Sequence, residues 1–297
     1  MRYLSAAIVS AVLLAGCVGE TVDTTTTAAP DTSTTTSVAT TLPETTTLPE
    51  TTTTAPAVTE EFPVYFFFDG FPVEPGPYLA PVARTGSVEI GDALAALIDG
   101  PADVEREMGL SSAVPEGTTL LGVDVVDRIA LVDLSAEFES GGGSLSVLGR
   151  VAQVVYTATW FDDVDAVEFL IDGVAVDVLT GEGLIVDRPQ TRADYVDLLP
   201  ALFVDAPFWG STVVSPVDLS GFAIADSGLI RYVVVDADGL IVAEGDLTTL
   251  AGERDEFAVS IDIPDLPHPG LGSIIVFEVA TDGTQRHVVE YPLTITE

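Results

Sequence analysis

The spacing of apolar residues changes along this chain of 297 residues, and that spacing constrains what each part can fold into. From residue 200 onward, "LFVDAP", "STVVSPVDLSGFAI", "LIRYVVVDADGLIVAEGDL", "EFAVSIDI", "GSIIVFEVATDG" and "QRHVVEYPLTI" alternate apolar with polar residues in short runs. Successive side chains on a strand point to opposite faces, so a period of two buries one face and wets the other. About seven such runs between turn signals predict a β-sandwich over residues 198–297. "DADG" and "TDGT" supply two hairpin turns, because Gly239 and Gly283 can take positive φ.

Residues 61–190 mix two periods. "FPVYFFFDG" and "YLAPVART" read as strands, and "TTLLGVDVVDRIALVDLSAEF" as a hairpin turning near Val126–Arg128. "EIGDALAALIDGP" places Ile90, Leu94, Leu97 and Ile98 at helical spacing, stopped by Gly100 and Pro101. "SLSVLGRVAQVVYTATWF" puts Val147, Val151, Val154 and Ala158 on one helical stripe, and "AVEFLIDGVAV" returns as paired strands around Asp172-Gly173. The expected architecture is two helices on one face of a small sheet, making the whole chain α+β. The segment "GEGLIVDRPQTRADYVDLLP" reads as a Pro-bounded connector. With few apolar contacts expected near 182–199, protease should cut there and release two compact fragments.

The N-terminal 60 residues follow other rules. Met1 and Arg2 precede the apolar "YLSAAIVSAVLLAG", which has the length of a signal-peptide core and is too short to span a bilayer. Leu14, Ala15 and Gly16 lead into Cys17, the only cysteine in the chain. This arrangement resembles a bacterial lipoprotein box. The resemblance implies a signal peptide at 1–16, diacylglycerol on the Cys17 thiol, cleavage before it and labelling by palmitate. Two buried acyl chains, at ~0.8 kcal/mol per CH₂, make a stable anchor. A single cysteine also leaves intramolecular disulfides out of the account, so packing must hold the fold. From Glu20 to Glu60, 19 of 41 residues are threonine, with almost no large apolar side chains. Such a segment buries too little surface to offset its ordering entropy and is expected to be a disordered linker over 17–60. "TLPETT" occurs there twice, at Thr41 and Thr47; LPET resembles a sortase signal, but no glycine follows and the reading is linker repetition.

All 10 basic residues are arginine against 47 acids, giving a formal net charge of −37. An acidic surface repels nucleic acid and anionic headgroups, so neither is an expected partner. The materials for catalysis are sparse. His268 lies in the loop "LPHPG" and His287 in a strand, so the first region offers no imidazole for a zinc site. "GGGSLS" lacks both the G-x-S-x-G spacing and a P-loop lysine, and reads as a loop leading into a helix. "WFDDVDAVEF" gathers Asp162, Asp163 and Asp165, which can approach Ca²⁺ but lack the spacing of an EF-hand; a solvated acidic loop is the expected reading. "VDADG", with Asp236 and Asp238, has the same defect. Trp160, Phe208 and Trp209 suit either a glycan platform or a domain contact, with the contact expected. No cofactor, resident metal or catalytic residue is expected.

"LIDGP", "GLSSAVPEGTTLLGV", "ALVDLSAEFESGGG" and "RVAQVVYTATWFDDVDAVEFLIDG" together resemble the GerMN domain of bacterial sporulation and germination proteins, over most of residues 63–180. The order "V..P..GS.V.SPV.LSG.A" resembles the immunoglobulin-like domain that accompanies GerMN in spore germination proteins. The resemblance implies no catalytic set, a fold similar to the ring-building domains of envelope complexes, and occasional fusion to a wall amidase. It leads to the expectation of a non-catalytic, lipid-anchored envelope protein whose domains contact other envelope proteins. The alternative is a peptidoglycan-binding accessory to wall-remodelling enzymes.

Overall fold

The structure is a computed structural model that describes residues 60–70, 76–181 and 183–296. The expected signal peptide, Cys17 and the linker up to residue 59 lie outside the described residues. The chain divides into units 1–53 and 54–297, and every described residue belongs to the second.

In chain order the elements are β1 (Glu60–Phe68), β2 (Tyr78–Gly86), α1 (Ile90–Asp99), α2 (Asp103–Glu107), β3 (Leu110–Ser111), β4 (Leu120–Val126) and β5 (Ile129–Leu134). Next come α3 (Ser144–Ala158), β6 (Ala166–Ile171), β7 (Val174–Ala175), β8 (Val178–Leu179) and β9 (Leu184–Ile185). A 3₁₀ segment, Arg192–Leu198, then leads into β10 (Leu202–Ala206), β11 (Thr212–Val214), β12 (Val217–Ile224) and β13 (Leu229–Val235). β14 (Ile241–Thr248), β15 (Arg254–Ile261), β16 (Gly270–Val279) and β17 (Gln285–Thr296) complete the described chain.

The strands of the first region divide into two main sheets, β2-β1-β3 and β4-β5-β6-β7, and a two-stranded β8-β9 pair, where the sequence suggested one sheet. β5 and β6 are parallel, so the chain must cross over between them, and α3 is that crossover. α3 packs on both β1 and β6, and α1 on both β1 and β4, so the helices lie between the sheets. That placement explains why α3 is buried on every side from Gly149 to Ala158 and not only along its apolar stripe. Its polar residues serve the backbone of β1. Gln153 Nε2 donates to the Tyr65 carbonyl at 3.0 Å, and the Tyr65 amide donates to Thr157 Oγ1 at 3.1 Å. Gln153 Oε1 also accepts from the Ala113 amide at 2.7 Å. β3 reaches only Phe67 and Phe68, so without α3 the Tyr65 amide and carbonyl would be buried and unpaired. Arg150, 1% exposed, is matched by carbonyls in place of a carboxylate: its guanidinium donates to Phe138, Ser140 and Gly141.

The hairpin turns form where expected. Asp127 and Arg128, and likewise Asp172 and Gly173, all have positive φ, which matches the twist of two-residue hairpins. Arg128 is held in that conformation by its own contacts, a bidentate pair with Asp165 at 2.5 and 2.6 Å and a hydrogen bond from the Asp165 amide to the Arg128 carbonyl.

Residues 202–296 form the expected sandwich, with sheets β10-β12-β15 and β11-β17-β16-β13-β14. Gly239 and Gly283 take positive φ in the turns assigned to them. A single hydrophobic cluster runs through both regions, from Phe62 to Ile295. The join is made by backbone as well as side chains: the Trp209 amide donates to the Pro81 carbonyl at 2.8 Å and the Ala83 amide to the Trp209 carbonyl at 2.9 Å. Trp209 thus prolongs the β2 edge, and its buried ring meets Phe68 edge-on at 6.4 Å. The Thr212 amide, at the start of β11, donates to the Glu61 carboxylate.

The segment 182–199 differs from the open connector expected. Tyr195, Leu198 and Leu199 are buried, and Gln190 exchanges two backbone hydrogen bonds with Val167 on β6. Tyr195 Oη donates to Gln190 Oε1 at 2.7 Å, tying the segment to itself. Reading the segment as a Pro-bounded connector gives too little weight to "YVDLL", of which Tyr195, Leu198 and Leu199 fold inward at the joint.

Candidate functional site

Where the segment 192–199 crosses from one region to the other, it leaves a cleft of 670 Å³ against the β10-β12-β15 sheet. One wall is Arg192, Ala193, Val196 and Leu199, with Tyr156 from α3; the other is sheet, chiefly Phe203, Phe222 and Arg254. Gly221 lies in the cleft lining for a steric reason. A Cβ there would stand 2.0 Å from the Phe203 carbonyl oxygen and 2.9 Å from the Phe257 ring, so only glycine lets β10 and β12 approach.

The charge pattern of the cleft departs from that of the molecule. Of the nine arginines among the described residues, six pair with a carboxylate: Arg84, Arg106, Arg128, Arg188, Arg231 and Arg286. Arg150 is occupied by carbonyls, and the remaining two, Arg192 and Arg254, both line the cleft. Arg192 is fixed: Nε donates to Thr159 Oγ1 at 2.9 Å and Nη2 to the Tyr156 carbonyl at 3.0 Å, while its guanidinium lies over the Tyr65 and Tyr156 rings at 5.2 and 5.0 Å. Arg254 is exposed and lies 3.7 Å over the Phe222 ring, which in turn stacks on Phe203 at 5.3 Å. Such stacking holds the cation in place while leaving its in-plane N–H groups open. Asp205 and Glu256 line the same cleft, and Asp205 accepts from the Tyr65 hydroxyl at 3.3 Å.

The two phenols beside Arg192 stay uncharged well above neutrality. Burial pushes the Tyr156 hydroxyl up to about 12, against the opposing pull of Arg192 and Arg254. Burial raises Tyr65 further still, so both phenols act as neutral donors or acceptors. What the cleft offers a ligand is two planar cations, two carboxylates and aromatic walls.

The residues singled out from sequence are placed as follows. Asp165 is committed to Arg128, while Asp162 and Asp163 are exposed beside it. Among the described residues no three His, Cys, Asp or Glu side chains converge as a metal set. His268 faces carboxylates with both ring nitrogens, Nδ1 at 3.0 Å from buried Asp236 and Nε2 at 3.3 Å from Asp238. Asp236 also accepts from the Asp238 and Leu240 amides, shaping the β13–β14 turn. His287 sits in β17, 3.5 Å from the buried Glu278. Gly141 and Gly142 take positive φ ahead of α3, a loop leading into a helix. Trp160 meets Phe208 edge-on at 6.2 Å, so with Trp209 these aromatics form the domain contact. Sequence reasoning missed Arg192 and Arg254. The available signal was the absence of lysine, which makes every arginine in an acidic chain informative.

Two family models match parts of the chain. Residues 63–177 match the Germane family, described as sporulation and spore germination. Residues 201–284 match the immunoglobulin-like domain of bacterial spore germination. Among solved structures, a Clostridium perfringens protein classed as a lipoprotein is 23% identical, covering 46% of this chain and 89% of its own, with a TM-score of 0.33. The tandem GerMN domains of the sporulation protein GerM from Bacillus subtilis are 17% identical, covering 70% of this chain and 62% of their own, with a TM-score of 0.39. The first of those GerMN domains alone is 23% identical over 46% of this chain and 99% of its own, with a TM-score of 0.35. No curated protein matches the chain.

Proposed function

From a chain that joins a sporulation and spore germination domain to the immunoglobulin-like domain of bacterial spore germination, we propose a non-catalytic, lipid-anchored protein of the bacterial envelope. Its two domains act as one block that binds another envelope protein. The observation that carries this reading is the joint. Trp209 pairs with β2 through backbone, and one core spans both domains, so the partner would meet a composite surface of fixed geometry. The anchor is Cys17, set after an apolar run and before a threonine-rich stretch. Arg2 aside, nothing about the strongly acidic chain favours direct contact with anionic lipid, so membrane attachment falls to the acyl chains.

Labelling with palmitate tests the anchor. Wild-type chain should incorporate label and sediment with membranes, and Cys17→Ala should do neither; labelled Cys17→Ala would refute it. The glycan-binding alternative drew on Trp160, Phe208 and Trp209, and the domain contact now occupies those side chains. Insoluble peptidoglycan should therefore leave the protein in the supernatant, and saturable retention would favour the alternative.

A further inference from the structure

We propose that the cleft at the domain joint binds a short apolar peptide through its free C-terminal carboxylate, with Arg254 and Arg192 as the recognising cations. The inference goes beyond the anchoring and assembly reading and stands independently of it.

The argument starts from charge. A chain carrying −37 has a surplus of carboxylates, and six of its nine described arginines have taken one. Arg192 and Arg254 have not, although Asp205 and Glu256 stand in the same cleft. Aromatic stacking holds both guanidinium groups: Arg192 on Tyr65 and Tyr156, Arg254 on Phe222. Arg254, held only by its face, presents an open edge, and the edge of an arginine matches the two oxygens of a carboxylate. Arg192 has Nε and Nη2 committed to Thr159, Tyr156 and the Tyr65 hydroxyl, so it contributes its charge and Nη1. A multiply charged phosphate is the poorer fit, because Asp205 and Glu256 repel each added negative charge. Those same two acids can accept from an ammonium or amide N–H, so the cleft complements a ligand that carries both signs. Val196, Leu199 and Phe203 add apolar wall between the polar groups. A volume of 670 Å³ lies within the range of ligand pockets, about 300–1,000 Å³, and suits a peptide of roughly two to four residues. Free amino acids leave most of that volume empty.

Isothermal titration of the full chain in mild detergent with trileucine tests the proposal. The free acid should bind saturably with 1:1 stoichiometry, and its C-terminal amide at least tenfold more weakly. Arg254→Gln is the informative variant, because Arg254 is exposed and stacked without a hydrogen bond, so the fold should survive its loss. It should weaken the acid at least tenfold, leave the amide unchanged, and melt at the same temperature as wild type. Arg192→Gln should weaken the acid as well, with some loss of stability from the broken contacts to Thr159 and Tyr156. Equal affinity for acid and amide, unaltered binding by Arg254→Gln, displacement by equimolar inorganic phosphate, or no saturable heat at millimolar peptide would each overturn the proposal.

Discussion

Gly221 is where the smallest side-chain change meets the hardest obstacle. A methyl group there must displace the Phe203 carbonyl, a backbone atom in the paired strand, so relief requires β10 to move. Gly221→Ala is expected to cost about 2–4 kcal/mol, at or above the upper end for overpacking because the clash is with backbone. A lower denaturant midpoint with an unchanged slope would show it. Asp236 poses an electrostatic question at the same scale. Burial works to raise its pKa, but the Leu240 amide, His268 and the Asp238 amide outweigh it and hold the carboxyl below its ordinary value. A depressed carboxylate contributes stability that is present above the unfolded value, near 3.9, and lost as pH falls through the folded one. Its share should therefore be intact above about pH 5 and fade below about pH 4. Acid also relieves the repulsion within so acidic a chain, so the comparison that isolates Asp236 is with Asp236→Asn. The melting temperature of wild type should fall faster than that of the variant between about pH 4 and 2; parallel curves would remove Asp236 from the account.

α3 shows how far a helix can be read from its own sequence. Its apolar stripe, Val147, Val151, Val154 and Ala158, was legible because 3.6-residue periodicity survives in any helix with a buried face. Its burial on all sides was not, because Arg150, Gln153 and Thr157 look like a solvated face until their acceptors and donors are known. Those partners lie on β1 and in loops up to 92 residues away in sequence, which no local pattern encodes. The same limit applies to the division of the first strands into separate sheets and to the cleft, since only the joint brings Arg192 and Arg254 to one cavity. Hairpins fared better, because Asp172-Gly173, Gly239 and Gly283 announce positive φ in the residues themselves. Gln153→Leu tests the reading of α3. The shape is nearly kept, but the buried Tyr65 carbonyl and the half-buried Ala113 amide lose their partner. The expected cost is about 1–3 kcal/mol, chiefly from the buried Tyr65 carbonyl left unmatched. A neutral Gln153→Leu would mean that the β1 backbone finds other partners.

Across the whole molecule, the account depends on whether the two domains are one block. Separate modules on a connector would present two small surfaces whose relative placement varies, and a cleft between them would have no fixed shape. A shared core makes the cleft and the composite surface permanent, and it also predicts that protease spares residues 182–199. Differential scanning calorimetry of residues 60–297, as wild type and as Trp209→Ala, measures this most directly. The wild type should unfold in a single transition whose calorimetric and van't Hoff enthalpies agree. Losing the buried Trp209 ring should cost about 3–5 kcal/mol and lower that one transition by roughly 10 °C without splitting it. Two transitions in the wild type, with Trp209→Ala moving only one of them, would contradict the account.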